Sequence, residues 1–301
     1  MLLTVENFDQ IVPLICDRET TSDPSGWTPE NPTYGHCAAV SLLYQNIFGG
    51  TILRASLLEF TEFAHMRSHY WIKQGQNSGE FDGTWAQFQG RLPRHALVPE
   101  PKERSYLTDV EKNPLNKNTV DRYKTLAIRL VKYFWGERPI FQDSIWKECF
   151  FAALESSCKA MKFGAAFVRN GGIILSSCNK IIEPLAHLCE PDCVRLSMEP
   201  RRDQLEGSCG HAEEWGMHEV VKRGVPLGEV DVYIVGLTAQ SLLWIRKASE
   251  STCTLCARQM YMGGVKSVNV EYEGNWVKIS PATGLVTADQ YRRGEKRATR
   301  S

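Results

Sequence analysis

Along residues 119 to 134 the apolar positions are Tyr123, Leu126, Ala127, Leu130, Val131 and Phe134, spaced as one face of a helix that Thr119 would cap. A second helical run, Ser41 to Phe48, is stopped by Gly49-Gly50, and Cys37 stands at its start. Strand-like segments follow at Thr51 to Arg54, Ser68 to Ile72 and Glu80 to Trp85. From Val98 to Asn118 the chain is charged and interrupted by Pro99, Pro101 and Pro114, which reads as linker.

In the second half, Ile145 to Lys159 reads as a helix, and Ala165 to Ser176 as a hairpin turning on Asn170-Gly171. Ala212 to Val221 is helical in pattern, and Asp231 to Leu237 is a short β-branched run of buried-strand type. A further helix runs through Cys256 to Tyr261 and is opened by Cys253. The expected organisation is an α+β domain over 1–97, a linker and helix over 98–144, and an α/β domain over 145–301.

Composition narrows the classes. A chain of 301 residues that is 43% hydrophobic is long enough for two cores. Its formal net charge of zero leaves no basic footprint for nucleic acid, and the basic tail from Tyr291 to Arg300 reads as a solvated terminus. No apolar run approaches a membrane span and the amino terminus lacks a signal-peptide pattern. Six of the ten cysteines stand in metal-like or nucleophile-like settings, which favours a reducing compartment. The expectation is a soluble, cytoplasmic protein with no membrane partner.

His211-Ala212-Glu213, followed by Cys253-Thr254-Leu255-Cys256, has the residue types of a catalytic zinc site. One imidazole and two thiolates leave a fourth position open, and a carboxylate outside the ligand set moves protons. This pattern resembles the cytidine and deoxycytidylate deaminase superfamily over residues 145 to 292. The resemblance implies a three-layer α/β/α domain, with zinc on His211, Cys253 and Cys256 and Glu213 as proton shuttle. It also implies a sugar contact from Asn179 and a homo-oligomeric assembly. The implied substrate is a free cytosine nucleotide or nucleoside, deoxycytidylate first; another amino-bearing base, a base in single-stranded nucleic acid, and a non-catalytic zinc or nucleotide regulator are the alternatives. Cys189, Cys193 and Cys209 resemble a second, structural zinc set that some deoxycytidylate deaminases carry, for which His187 would be a fourth ligand; ordinary buried cysteines are the other reading. Three departures stand out: Thr252 where proline is usual, Trp215 where relatives have a small polar residue, and a long stretch from Thr238 to Thr252 with Trp244, Arg246 and Lys247.

Near the amino terminus, the order and spacing of Cys37, His69 and Asp82 resemble a papain-like or transglutaminase-like set, in which Cys attacks, His activates it and Asp orients His. Gly35 to Ala38, Phe48 to Gly50, His69 to Trp71 and Asp82 to Phe88 are similar to the YunG family over residues 10 to 92, with His36 where Gln is common and Gly83 where Leu is common. An active thiol hydrolase or transferase and a degenerate fold kept for binding or dimerisation both remain open.

Overall fold

The structure, a computed structural model, describes residues 3–75, 79–158, 161–189, 209–238, 253–272 and 274–293. The chain divides into two compact units, Met1–Gly136 and Glu137–Ser301.

In the first unit, α1 (Val5–Ile15) opens with a capping box in which Thr4 and Asn7 exchange hydrogen bonds, and it buries Phe8, Ile11, Val12 and Ile15. α2 (Cys37–Phe48) is buried along most of its length, so it forms the unit's central helix. It ends at Gly49, whose positive φ of 79° lets its N–H return to the Gln45 carbonyl. Four antiparallel strands, β1 (Thr51–Ser56), β2 (Ser68–Lys73), β3 (Glu80–Phe81) and β4 (Glu100–Lys102), lie in the order β3-β2-β1-β4. β2 pairs Ala55 with His69, which fixes the face His69 presents. The strand expected over 80–85 stops at Phe81 because Asp82 turns the chain: its carboxylate accepts from the Thr84 backbone and hydroxyl.

The segment expected as linker and separate helix, 98–144, is instead largely part of this unit. β4 is an edge strand, where Pro101 withholds no needed ladder donor. α3 (Ser105–Thr108) leads to α4 (Asn116–Trp135), which packs on α2, α1 and α3. The expected face is buried at Tyr123, Leu126, Ala127, Leu130 and Val131, with Phe134 half-buried. The helix starts three residues before Thr119, at Asn116, whose amide reaches back to the carbonyls of Tyr106 and Asp109.

In the second unit, α5 (Ser144–Leu154) is capped by Asp143 and ends before the expected Lys159. β5 (Met161–Arg169) and β6 (Gly172–Cys178) form the expected hairpin, with Asn170 and Gly171 at positive φ. β7 (Lys180–Ile181) pairs with β8 (Cys209–Gly210). Then follow α6 (Ala212–Lys222), β9 (Val230–Thr238), α7 (Thr254–Met262), β10 (Ser267–Tyr272), β11 (Asn275–Ile279) and α8 (Pro281–Arg293). The main sheet runs β11-β10-β9-β5-β6, parallel only between β9 and β10. Helices cover both faces. A Cβ on Gly164 would meet the Cys149 carbonyl of α5 at 1.9 Å, whereas Phe167, on the opposite face of the same strand, lies against Gly216 of α6. α6 and α7 close the second face over Phe167, Val232, Ile234, Val268 and Val270. The unit is mixed α/β. Among the described residues, no helix is long and apolar enough to cross a membrane.

Candidate functional sites

Two side-chain clusters stand out, each at the amino terminus of a helix. In the second unit, His211 takes the N-cap position of α6 and Cys253 that of α7. The His211 Nδ1 lies 3.1 Å from the Cys253 sulfur and 3.2 Å from that of Cys256, and all three donor atoms lie within 4.8 Å of one another. Bond lengths of ~2.3 Å to sulfur and ~2.0 Å to nitrogen give a tetrahedral zinc N···S edges of about 3.5 Å, so the three atoms need to part by only a few tenths of an ångström. The donor set fits zinc, and three donors leave the fourth position open, among the described residues. A hydrogen bond from Cys256 and then His211 pull the Cys253 thiol down to about 4, and that same bond raises the pKa of Cys256. Glu213, buried in the first turn of α6, bears electrostatically on Cys256.

The other expected residues of this unit fare differently. Asn179 is committed to its own chain: its Oδ1 accepts from the Phe163 N–H at 2.7 Å and the Ser156 hydroxyl at 2.6 Å, and its Nδ2 donates to the Met161 carbonyl at 2.8 Å. That amide ties the start of β5 to the end of β6, so the geometry gives Asn179 a structural task and no support as a sugar contact. Trp215, two residues past Glu213 and so about 200° further round the helix, shields Gly210 and lines a pocket with His218, Val221, Leu227 and Gln259. Cys189 and Cys209 are buried and His187 is exposed. Cys193, Thr252, Trp244, Arg246 and Lys247 lie outside the described residues.

In the first unit, Cys37 opens α2, His69 comes from β2, and Asp82 follows β3. The His69 Nε2 is 2.7 Å from Asp82 Oδ2, and both side chains are sealed from solvent. Burial works to lower the His69 pKa, but the charge of Asp82, the bond to it, and a hydrogen bond with Cys37 together raise it to about 9. The structure therefore brings together all three residues of the expected set.

Two residues of this cluster escaped the sequence reading as members of the site. Gln87, from the turn after Trp85, is buried; its Oε1 accepts from the Gly35 N–H at 3.2 Å and its Nε2 lies 3.3 Å from His69 Nδ1. Arg122, on α4, donates to the Gly35 carbonyl at 3.1 Å, and its charge bears on Cys37. Both thus grip the turn ahead of Cys37, where Gly35 has a φ of 73° and a Cβ would meet the Thr21 hydroxyl at 2.3 Å. Gln87 sits in the motif running from Asp82 to Phe88, which was its only signal; Arg122 had none beyond a cation on a helix's buried flank.

No curated protein matches the chain. Residues 4–134, which contain the entire Cys37 cluster and reach well beyond the expected 10–92 to take in Arg122 and nearly all of α4, match the family model described as YunG protein.

Proposed function

We propose that the second unit is a zinc-dependent hydrolytic deaminase of a cytosine-class nucleotide or nucleoside, deoxycytidylate first. The observation that carries this reading is the convergence of His211 Nδ1 and the sulfurs of Cys253 and Cys256, with the Glu213 carboxylate buried two residues beyond the imidazole. A zinc ion on the three donors would supply a Lewis acid that brings the pKa of a water toward neutrality. His211 and Cys253, each at a helix start, are held in place by the backbones of α6 and α7. Glu213 takes the proton from the attacking water and delivers it to the exocyclic amine, so that ammonia leaves and the ring carbon keeps the oxygen.

Zero net charge favours a free nucleotide over a nucleic acid strand, since strand binding relies on phosphate-neutralising cations. Cys16, Cys37, Cys149, Cys178, Cys253 and Cys256 are unbridged thiols, which supports a reducing, cytoplasmic setting.

The test is ammonia release from zinc-loaded protein across amino-bearing bases, nucleosides, nucleotides and short single strands, with Glu213→Gln in parallel. Release from the cytosine class, lost in Glu213→Gln while zinc stays bound, is the expected result. Release from another class reassigns the substrate. Silence across the panel with zinc bound leaves the non-catalytic regulator as the better reading.

A further inference from the structure

The first unit assembles a second set of reactive groups that a deaminase does not need. Asp82 is fixed at both oxygens: Oδ1 accepts from the Thr84 N–H and hydroxyl at 3.2 and 3.1 Å, and Oδ2 faces His69 Nε2. A carboxylate so placed keeps a proton on Nε2 and leaves Nδ1 as the working nitrogen. Cys37 is the thiol hydrogen-bonded to that ring. It also sits at the first position of a twelve-residue helix whose opening turn has no side-chain cap. Backbone N–H groups there favour negative charge on an oxygen developing beside the sulfur. Gln87 and Arg122 hold the preceding turn through Gly35, and Arg122 adds a buried positive charge near the sulfur.

We propose that Cys37, His69 and Asp82 form a thiol-dependent acyl-transfer site, acting on an ester or thioester with a slim acyl group, and that Gln87 and Arg122 hold its nucleophile in position. The narrow acyl group follows from the approach to Cys37, which is only 7% exposed. In the first half-reaction His69 holds the proton taken from Cys37 while the bond from sulfur to the carbonyl carbon forms. The bond from that carbon to the leaving group then breaks, and His69 returns the proton to the departing alcohol or thiol. In the second, water or an amine attacks the acyl-sulfur bond and loses its proton through His69, releasing acid or amide and restoring the thiol. No oxidant or metal is required, and the site is independent of the deaminase reading.

The experiment treats the full chain with p-nitrophenyl acetate, follows p-nitrophenolate, and maps acetylated peptides by mass spectrometry. An acetyl group on Cys37 with a burst of about one equivalent is expected. Cys37→Ser should remove it, and His69→Gln should slow it by about 10²-fold or more. Asp82 acts through His69, so Asp82→Asn is read by the pH profile of acetylation: its alkaline limb, near pH 9 in the native protein, should move to lower pH, whereas a merely structural lesion lowers the rate equally at every pH. Acetylation spread over other residues and absent from Cys37, or an unchanged rate in His69→Gln, overturns the proposal. Should His69→Gln fail to fold, the native adduct and Cys37→Ser decide it alone.

Discussion

Two buried histidines shifted in opposite directions should give the first unit a dome of stability centred near pH 6.5. His69 is raised from the ordinary 6.5 to about 9 against the pull of burial, by the charge of Asp82 and its bonds to Asp82 and Cys37. Its contribution is therefore complete below pH 6.5 and is lost as pH climbs through 9. His36 is lowered to about 4 by burial, with Arg122 adding to the effect, while its Nδ1 bonds the Tyr34 carbonyl and its Nε2 meets the Thr20 hydroxyl. It is folded as the neutral ring, so the fold is penalised as pH falls from 6.5 toward 4. Each difference is worth about 3 kcal/mol at ~1.4 kcal/mol per pH unit. Combining the two, stability should fall by about 2 kcal/mol on either side of the maximum by pH 4 and pH 9, roughly forty-fold in the folded to unfolded ratio. Asp17 and Asp23, both lowered, steepen the acid side further, so the alkaline limb is the clean one.

Asp82→Asn isolates that limb. Without the carboxylate, burial acts on His69 with little opposition and its pKa should drop below 6.5. The variant should lose about 3 kcal/mol at pH 6.5, or about 1.5 M in urea midpoint for an m value of ~2 kcal/mol/M, and its stability should then be flat between pH 6.5 and 9. The assay is urea unfolding at stepped pH, with imidazole NMR titration to follow His69 and His36. Parallel pH profiles for native protein and variant, or a His69 resonance titrating near 6.5, refute the reasoning.

Other predictions concern the fold. A fragment of residues 1–97 should remain unfolded by circular dichroism while 1–136 folds, because the shorter piece lacks β4 and the helix that buries Tyr123, Leu126 and Leu130. Asn179→Ala strands the half-buried Phe163 N–H and should cost about 1–3 kcal/mol of second-unit stability in thermal or urea unfolding; a substrate role would instead raise KM with stability intact. Gly164→Ala drives a methyl into the Cys149 carbonyl, so α5 must move off β5, at a cost of about 1–3 kcal/mol or more seen as a lowered melting temperature. His211→Ala and Cys256→Ser should each lower the zinc content measured by elemental analysis, whereas Glu213→Gln should keep it.

What was legible in the sequence was whatever depended on local period and turn chemistry. The buried face of α4, the hairpin at Asn170-Gly171 and the helix starts at His211 and Cys253 all follow from spacing over a few residues. Membership in a unit did not follow from spacing. Glu100-Pro101-Lys102 is as polar and proline-marked as a linker, and only pairing with Ile52, Leu53 and Arg54 makes it a strand. α1 was passed over even though Phe8, Ile11, Val12 and Ile15 keep helical spacing, since Pro13 interrupts the run. Asn179 shows a related limit: a buried amide that bridges two strands and one that meets a ligand look alike until their partners are known.

The two clusters use the same residue types and differ in what flanks the imidazole, which is where the division of labour arises. At His211 one nitrogen, Nδ1, faces two sulfurs at nearly equal distance, an arrangement that could hold a cation shared by all three. At His69 a carboxylate holds Nε2 and Cys37 is the sulfur bonded to the ring, an arrangement that suits the proposed proton exchange better than metal binding. Moving a second thiol next to His69 would build a metal site, and removing one from His211 would leave a weak chelate. An Asp82→Cys substitution puts this to the test: it removes the orienting carboxylate and supplies a second sulfur. Zinc bound by the first unit in that variant, with Cys37 acetylation lost, is the outcome the argument requires; retained acetylation without zinc would show that Asp82 does not set the chemistry of His69.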